Sequence, residues 1–155
     1  MADPRRVYAA TGSVLYRSDD GGVTWTELGA APAPVVDLAG ASARDLVYLA
    51  TARGMYRSAD AGRTWTLLQA DGSTRPISAV ATLPDGFTYA FVTGVGLVAI
   101  NANGVGWVVG SPAANFDGAL LHLTARLTGR TYAVTQFMKI LVSEDRGRTW
   151  APFNR

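Results

Sequence analysis

The sequence predicts an all-β fold made of four repeated units, each a small antiparallel sheet. An eight-residue phrase with the frame Ser-x-Asp-x-Gly-x-Thr-Trp occurs three times. The four tryptophans of the chain, at positions 25, 65, 107 and 150, are separated by 40, 42 and 43 residues. A tyrosine precedes each tryptophan at a nearly constant distance, at positions 8, 48, 89 and 132. No stretch combines a 3.6-residue apolar period with helix caps, so we expect almost no helix.

The phrase has five fixed positions, too many to recur three times by chance composition. A fourth, degenerate copy ends at Trp107, with Ile100, Ala102, Gly104 and Gly106 in the Ser, Asp, Gly and Thr places. The complete copies consist of Ser18, Asp20, Gly22, Thr24 and Trp25; of Ser58, Asp60, Gly62, Thr64 and Trp65; and of Ser143, Asp145, Gly147, Thr149 and Trp150.

The residue types of the phrase predict a structural turn. Its Asp can accept backbone N–H bonds from the residues that follow, as in an Asx turn. Its Gly permits positive φ where the chain reverses, and its Trp can bury a large ring between neighbouring sheets. We therefore expect the phrase to hold a hairpin between two strands.

Each repeat reads as a succession of strands. The tyrosine lies in a β-branched and aromatic run, a second run follows after a short turn, and Thr-Trp begins an outer strand. These runs are 7–11, 46–51, 88–93 and 131–136, followed by 14–17, 55–57, 97–100 and 140–142. The last three repeats have one further, innermost run, at 35–39, 77–82 and 120–127.

Four strands in about forty residues is the size of a β-propeller blade. The blades are predicted at residues 1–30, 31–70, 71–112 and 113–155 of a single domain. Only six residues precede the first run, so blade one is expected to lack its innermost strand. The prediction is about fifteen strands in all.

The repeated phrase closely resembles the Asp-box, or BNR repeat, of sialidases, sortilin-type receptors, xyloglucan hydrolases and photosystem assembly factors of the Ycf48 type. These proteins are β-propellers that usually close with six or more blades, so the resemblance implies an incomplete ring here. An open arc exposes strand edges and apolar faces. The chain is expected to pair with copies of itself, dock into a larger complex or be part of a longer propeller. A compact four-bladed ring is the alternative.

Blade three has no charged residue between Asp85 and Asp117. One interpretation is a blade buried against a partner, through a candidate surface of Phe87, Phe91, Val105, Trp107, Val108 and Phe116. The other is simple drift in a blade that its own neighbours bury. A membrane helix over residues 88–110 is weakened by five glycines and by the repeat register.

Composition excludes several classes. The chain of 155 residues is 48% apolar, enough for a core, and has no cysteine for disulfides or thiolate sites. Its net charge is only +2, and scattered arginines without a clustered basic face argue against nucleic acid. No apolar signal segment is visible at the start, which leaves the compartment open.

No cofactor or metal is expected. Residues 93–99 match a dinucleotide fingerprint, but they lie at a hairpin rather than before a helix. Residues 101–104 faintly resemble a calcium loop that lacks its distal acid. His122, the one histidine, has no second His or Cys to complete a transition-metal site.

Catalysis is not expected. The arginine triad and Arg-Ile-Pro segment of sialidases are not matched, since Arg75-Pro76-Ile77 has the wrong order and lies in blade three. Glycoside hydrolysis needs two carboxylates across one cleft, and Asp37 is the one acid predicted on an innermost strand.

The leading hypothesis is a non-catalytic interaction module with a protein partner or a homo-oligomer. The second is a carbohydrate-binding propeller that stacks sugars on repeated aromatic residues, namely Tyr16, Tyr56, Trp25 and Trp65. A glycosidase fragment is the third.

Overall fold

The protein is an all-β molecule of four antiparallel sheets. The computed structural model describes residues 5–41, 45–68, 74–109, 116, 118–126 and 128–153. These residues form fifteen strands and no helix. In the same residues no helix is long and apolar enough to cross a membrane. The all-β prediction is confirmed.

Every strand follows one of the predicted runs, with ends that differ by a residue or two. Blade one contains β1 (Val7–Thr11), β2 (Val14–Ser18) and β3 (Thr26–Ala30). Blade two contains β4 (Val35–Ala41), β5 (Leu46–Thr51), β6 (Gly54–Ser58) and β7 (Thr66–Leu68). Blade three contains β8 (Ile77–Thr82), β9 (Thr88–Val92), β10 (Gly96–Ile100) and β11 (Gly106–Val108). Blade four contains β12 (Leu120–Ala125), β13 (Thr131–Thr135), β14 (Ile140–Ser143) and β15 (Ala151–Pro152).

Each sheet is a meander in which sequential strands pair. Blade one has three strands and the others have four, as predicted. The innermost strands β4, β8 and β12 lie side by side, with β1 next to β4. The blades therefore stand in a row, one to four, that does not close, and the fold is an incomplete β-propeller.

The three innermost strands share an irregularity that the sequence did not reveal. Each has a β-bulge near its start, where one extra residue interrupts the pairing with the second strand. The bulged residues are Val36 in blade two, Ser78 in blade three and Leu121 in blade four. A bulge bends and twists a strand, so each innermost strand is bent at the same repeat position.

The core lies between the blades, in three clusters. One joins blade one to blade two and includes Leu15 and Leu49. A second joins blade two to blade three around Tyr48, Ile77 and Val98. The third joins blade three to blade four around Leu97 and Leu123. Each sheet is thus stabilised by burying its faces against its neighbours.

Blade three is enclosed on both sides. Every residue of β9 and β10 is buried, and the two strands supply the clusters toward blades two and four. The membrane-helix alternative is wrong, because residues 88–109 form β9, β10 and β11 with their connecting turns. Burial by neighbouring blades accounts for the lack of charge in β9 and β10.

Candidate interaction surfaces

The repeated turn of blade one is held by its own side chains. Ser18 Oγ donates to Asp20 Oδ1 at 2.7 Å and accepts the Gly22 N–H at 2.8 Å. Asp20 also accepts the Thr24 backbone N–H at 2.9 Å and the Thr24 hydroxyl at 2.6 Å. Trp25 Nε1–H donates to the Gly22 carbonyl at 3.0 Å. These bonds close the turn and engage both carboxylate oxygens of Asp20 within it.

Blades two and four repeat the bonds of the Ser, Asp and Thr side chains, and the indole bond recurs in blade four, from Trp150 to the Gly147 carbonyl. Asp60 accepts the Thr64 hydroxyl and Asp145 the Thr149 hydroxyl, each at 2.6 Å. The threonine hydroxyl bond is the main reason that the Asp145 pKa falls to about 2, and the pKa of Asp60 is lowered in the same way. Hydrogen bonds to a carboxylate favour its charged form. Each turn is therefore fixed by an ionised Asp.

Blade three replaces this device with a single asparagine. Asn101 Oδ1 accepts the N–H groups of Asn103 and Val105, each at 3.0 Å, and its carbonyl accepts the Gly104 N–H. Asn101 stands between the Ser and Asp places of the frame, so the alignment of the repeats does not mark it as a turn residue. The Asn-x-x-Gly spacing of a turn was the available signal.

The turn glycines of blades two, three and four lie against the preceding blade. A Cβ built on Gly62 would stand 2.8 Å from Leu28, one on Gly104 3.2 Å from Leu68, and one on Gly147 2.7 Å from Leu97. In blade one a Cβ on Gly22 would meet only Trp25 of its own turn, at 3.6 Å. In blades two to four the repeated turn thus packs against the preceding blade. In blade one no other described blade covers the turn.

The uncovered side of blade one is called here the blade-one face; it consists of Val7, Ala9, Tyr16, Gly22 and Trp25. Its counterparts in blade two, including Leu49, Tyr56 and Trp65, pack against blade one. The Trp25 ring is 44% exposed, whereas Trp65 and Trp150 pack against buried clusters. The expectation that the tryptophans are buried between sheets is wrong for Trp25, because none of the described sheets packs on that side of blade one.

The uncovered side of blade four, called the blade-four face, consists of Tyr132, Val134, Ile140, Val142 and Phe153. Cross-strand pairing places Tyr132 opposite Val142 and Val134 opposite Ile140. Phe153 packs edge-on against Tyr132, with ring centroids 5.7 Å apart, and is 43% exposed. Ala133 and Leu141, which alternate with these residues, are buried toward blade three.

The residues of the candidate surface predicted in blade three differ in exposure. Phe91 and Phe116 are only 5% and 8% exposed, and their rings pack edge-to-face within the cluster between blades three and four. Their assignment to a partner surface is corrected, because they belong to the core. Phe87 is half-buried against Tyr89. Val105 and Val108 are exposed, while the Trp107 side chain lies outside the described structure.

A pocket of about 290 Å³ lies between blades three and four. Phe91, Val95, Phe116 and Ala119 line it, together with the backbone of three glycines. No titratable side chain is among the described residues that line it. The described residues that line the pocket are mostly apolar, and Thr93 is the one with a side-chain hydroxyl.

Asp37 links the innermost strands of blades two and three. Its Oδ2 accepts the Val80 N–H and its Oδ1 the Leu38 N–H, each at 2.9 Å. Burial raises the pKa of Asp37, and these two bonds together with His122 oppose the rise. Within the described innermost strands Asp37 is the one acid, so no carboxylate pair spans them. The described residues contain no group of three possible metal ligands.

Comparison with known proteins identifies the fold and a family. Residues 1–94 match the family model described as the DUF6242 beta propeller domain. No curated protein matches the chain.

Solved structures that resemble the chain are propellers. The GH74 enzyme of Niastella koreensis superposes with a TM-score of 0.73 at 18% identity, over 97% of this chain and 22% of its own. YCF48 bound to D1 peptide superposes with a TM-score of 0.64 at 16% identity, over 76% of this chain and 40% of its own. YCF48 from Cyanidioschyzon merolae gives 0.62 at 18% identity, over 76% and 36%. The chain thus spans less than half of each structure, and the likeness shows the fold alone.

Proposed function

The chain belongs to the DUF6242 beta propeller domain family, and we propose that it is a non-catalytic interaction module. It serves as an accessory or scaffold subunit that self-associates or docks into a larger protein complex. We assign its repeated turns to the Asp-box type, on the support of the shared Ser, Asp and Thr hydrogen bonds.

One observation carries this proposal: two blade faces of the kind that the fold buries elsewhere are uncovered. In blade two both faces are packed, one against blade one and one against blade three. The blade-one face exposes Val7 and Trp25, and the blade-four face exposes Ile140 and Phe153. Contiguous exposed apolar surface of this kind marks protein–protein interaction sites.

A non-catalytic role is supported by the engagement of five of the described acids. Asp20, Asp60 and Asp145 are engaged in their turns, and Glu144 is held by Arg130. Asp37 accepts a hydrogen bond from a backbone N–H of the next blade. The structure of YCF48 contains a bound peptide, which supports a protein partner for a fold of this class.

The test is the mass of the native complex and its dependence on these faces. An affinity-tagged copy is recovered gently from its own cells and weighed by light scattering beside a Trp25→Arg and Phe153→Arg double variant. We expect a mass well above 16.3 kDa for the wild type and 16.3 kDa, plus the tag, for the variant. A wild-type mass of one chain, or a variant that stays in the complex, contradicts the proposal.

A second candidate is carbohydrate binding at the blade-one face, which presents Tyr16 and the exposed Trp25 ring. Tyr56 and Trp65, the other aromatic residues of this hypothesis, pack within the cluster between blades one and two. A glycan array with the wild type and Trp25→Ala tests it. Saccharide binding that Trp25→Ala abolishes would favour this candidate.

A further inference from the structure

The two uncovered faces correspond, position by position, to the two sides of a junction that the chain already contains. Blade one packs Tyr8, Ala10, Leu15 and Leu28 toward blade two. The residues at the same repeat positions in blade four are Tyr132, Val134, Ile140 and Phe153. All four belong to the blade-four face.

The blade-two side of that junction likewise corresponds to an uncovered face, the blade-one face. Blade two packs Leu49, Tyr56, Gly62 and Trp65 toward blade one. The residues at the same positions in blade one are Ala9, Tyr16, Gly22 and Trp25. All four belong to the blade-one face. Val35 and Leu38 of β4 also pack in the internal junction and have no counterpart in three-stranded blade one, so the molecule displays both halves of this interface except the part made by the innermost strand.

The side-chain volumes of the two faces compensate each other. Relative to the internal junction, the blade-four face is larger at two positions, with Val134 for Ala10 and Phe153 for Leu28. The blade-one face is smaller at one position, with Ala9 for Leu49. Close-packed interiors accept changes that keep the total volume better than changes in one direction. The two faces thus differ from the internal junction in opposite directions, and the summed side-chain volume of the contact changes less than the volume of either face alone.

From this correspondence we infer that the partner of these faces is a second copy of the chain. The blade-four face of one copy packs on the blade-one face of the next, head to tail, with Phe153 against the turn at Gly22. The inference rests on the proposed function and names its partner. A head-to-tail interface either closes a ring or continues as a filament, and a closed ring has a discrete mass.

The contact lacks the ion pair of the internal junction. Arg6 of blade one pairs with Asp45 of blade two. The corresponding positions at the new contact are Arg130 and Arg5, so this ion pair has no counterpart there. The new contact has no such pair for salt to screen, so raising the ionic strength is not expected to weaken the association.

The test mixes two blocked variants of the purified chain. Trp25→Arg blocks the blade-one face, Phe153→Arg blocks the blade-four face, and native mass spectrometry weighs each alone and the mixture. Val7→Arg and Ile140→Arg provide a second variant for each face. Val105→Arg is the matched control, because Val105 is an exposed apolar residue of blade three outside both faces.

We expect a discrete multiple of the chain mass for the wild type and the control, a single chain for each blocked variant, and a one-to-one pair in the mixture. The pair forms because each variant retains the face that the other lacks. A blocked variant that keeps the wild-type mass, or a mixture of single chains, overturns the inference. A wild-type chain that is monomeric when purified but large in its native complex overturns the inference and leaves the proposed function standing.

Discussion

Gly147 of blade four lies so close to Leu97 of blade three that an added Cβ would stand 2.7 Å from Leu97 Cδ2. Gly147 has φ of +84°, a conformation that suits glycine. The turn thus needs glycine twice, once for its backbone and once for the neighbouring blade. This double requirement joins the local sequence of the repeat to the packing of the whole row.

The need for glycine at the blade junction can be separated from the need for glycine at a positive φ. In the Phe153→Arg background, Gly22→Ala is expected to cost about 1–2 kcal/mol of unfolding free energy for its positive φ alone. Gly147→Ala should cost about 1–3 kcal/mol more, because Leu97 is buried and cannot move aside freely. Urea unfolding of the two variants measures both. Equal losses would contradict the junction role.

The carboxylate of Asp37 is expected to stabilise the contact between blades two and three. Asp37→Ala leaves the N–H of buried Val80 without its acceptor, which costs about 1–3 kcal/mol. Asp37→Asn is the control, because its carbonyl oxygen can still accept the bond. Denaturant unfolding should rank Asn above Ala in stability, and the reverse order would argue against this contact.

The carboxylates of the three repeated turns are expected to make the free energy of unfolding depend on pH in the acid range. The folded pKa of Asp145 is about 2, below the unfolded value of about 3.9, and the pKa values of Asp20 and Asp60 are lowered as well. Unfolding then takes up protons, so stability is full above about pH 5 and falls as pH drops from about 4 toward 2. The raised pKa of Asp37 opposes this trend with a single group.

Unfolding free energies measured from pH 2 to 7 check this dependence. Asp145→Asn should flatten the slope between about pH 4 and 2, since one of the three groups no longer titrates. A slope unchanged by Asp145→Asn would mean that other groups cause the acid response.

Trp65 and Trp25 occupy the same repeat position in different surroundings. Trp65→Ala is expected to cost about 3–5 kcal/mol, because Trp65 packs in the cluster between blades one and two. Trp25→Ala should cost far less within a single chain, since that ring is half uncovered. Thermal unfolding in the Phe153→Arg background compares them, and equal losses would be inconsistent with an open blade-one face.

The repeated phrase was sufficient to predict the fold, because it carries strand, turn and spacing information together. The position of Asp20 three residues before Val23 fixes a turn through local hydrogen bonds, which depend little on the rest of the chain. The fifteen strands follow from the same spacing. Local chemistry of this kind can be read from one sequence.

Contacts between blades could not be predicted in the same way. In the sequence, Phe91 and Phe116 are apolar residues of a charge-free stretch, which fits either a partner surface or the core. The packing of blade three against blade four shows that they are core residues. The bulges at Val36 and Leu121 depend on strand register, which the run of apolar residues does not specify. Asn101 was overlooked because it lies between the fixed places of the repeat.

The solution mass of the purified wild-type chain, measured by light scattering over a range of concentrations, tests most directly whether the blade-one and blade-four faces cover each other. We predict a discrete multiple of 16.3 kDa that persists at raised ionic strength. A mass of 16.3 kDa at every concentration would contradict it.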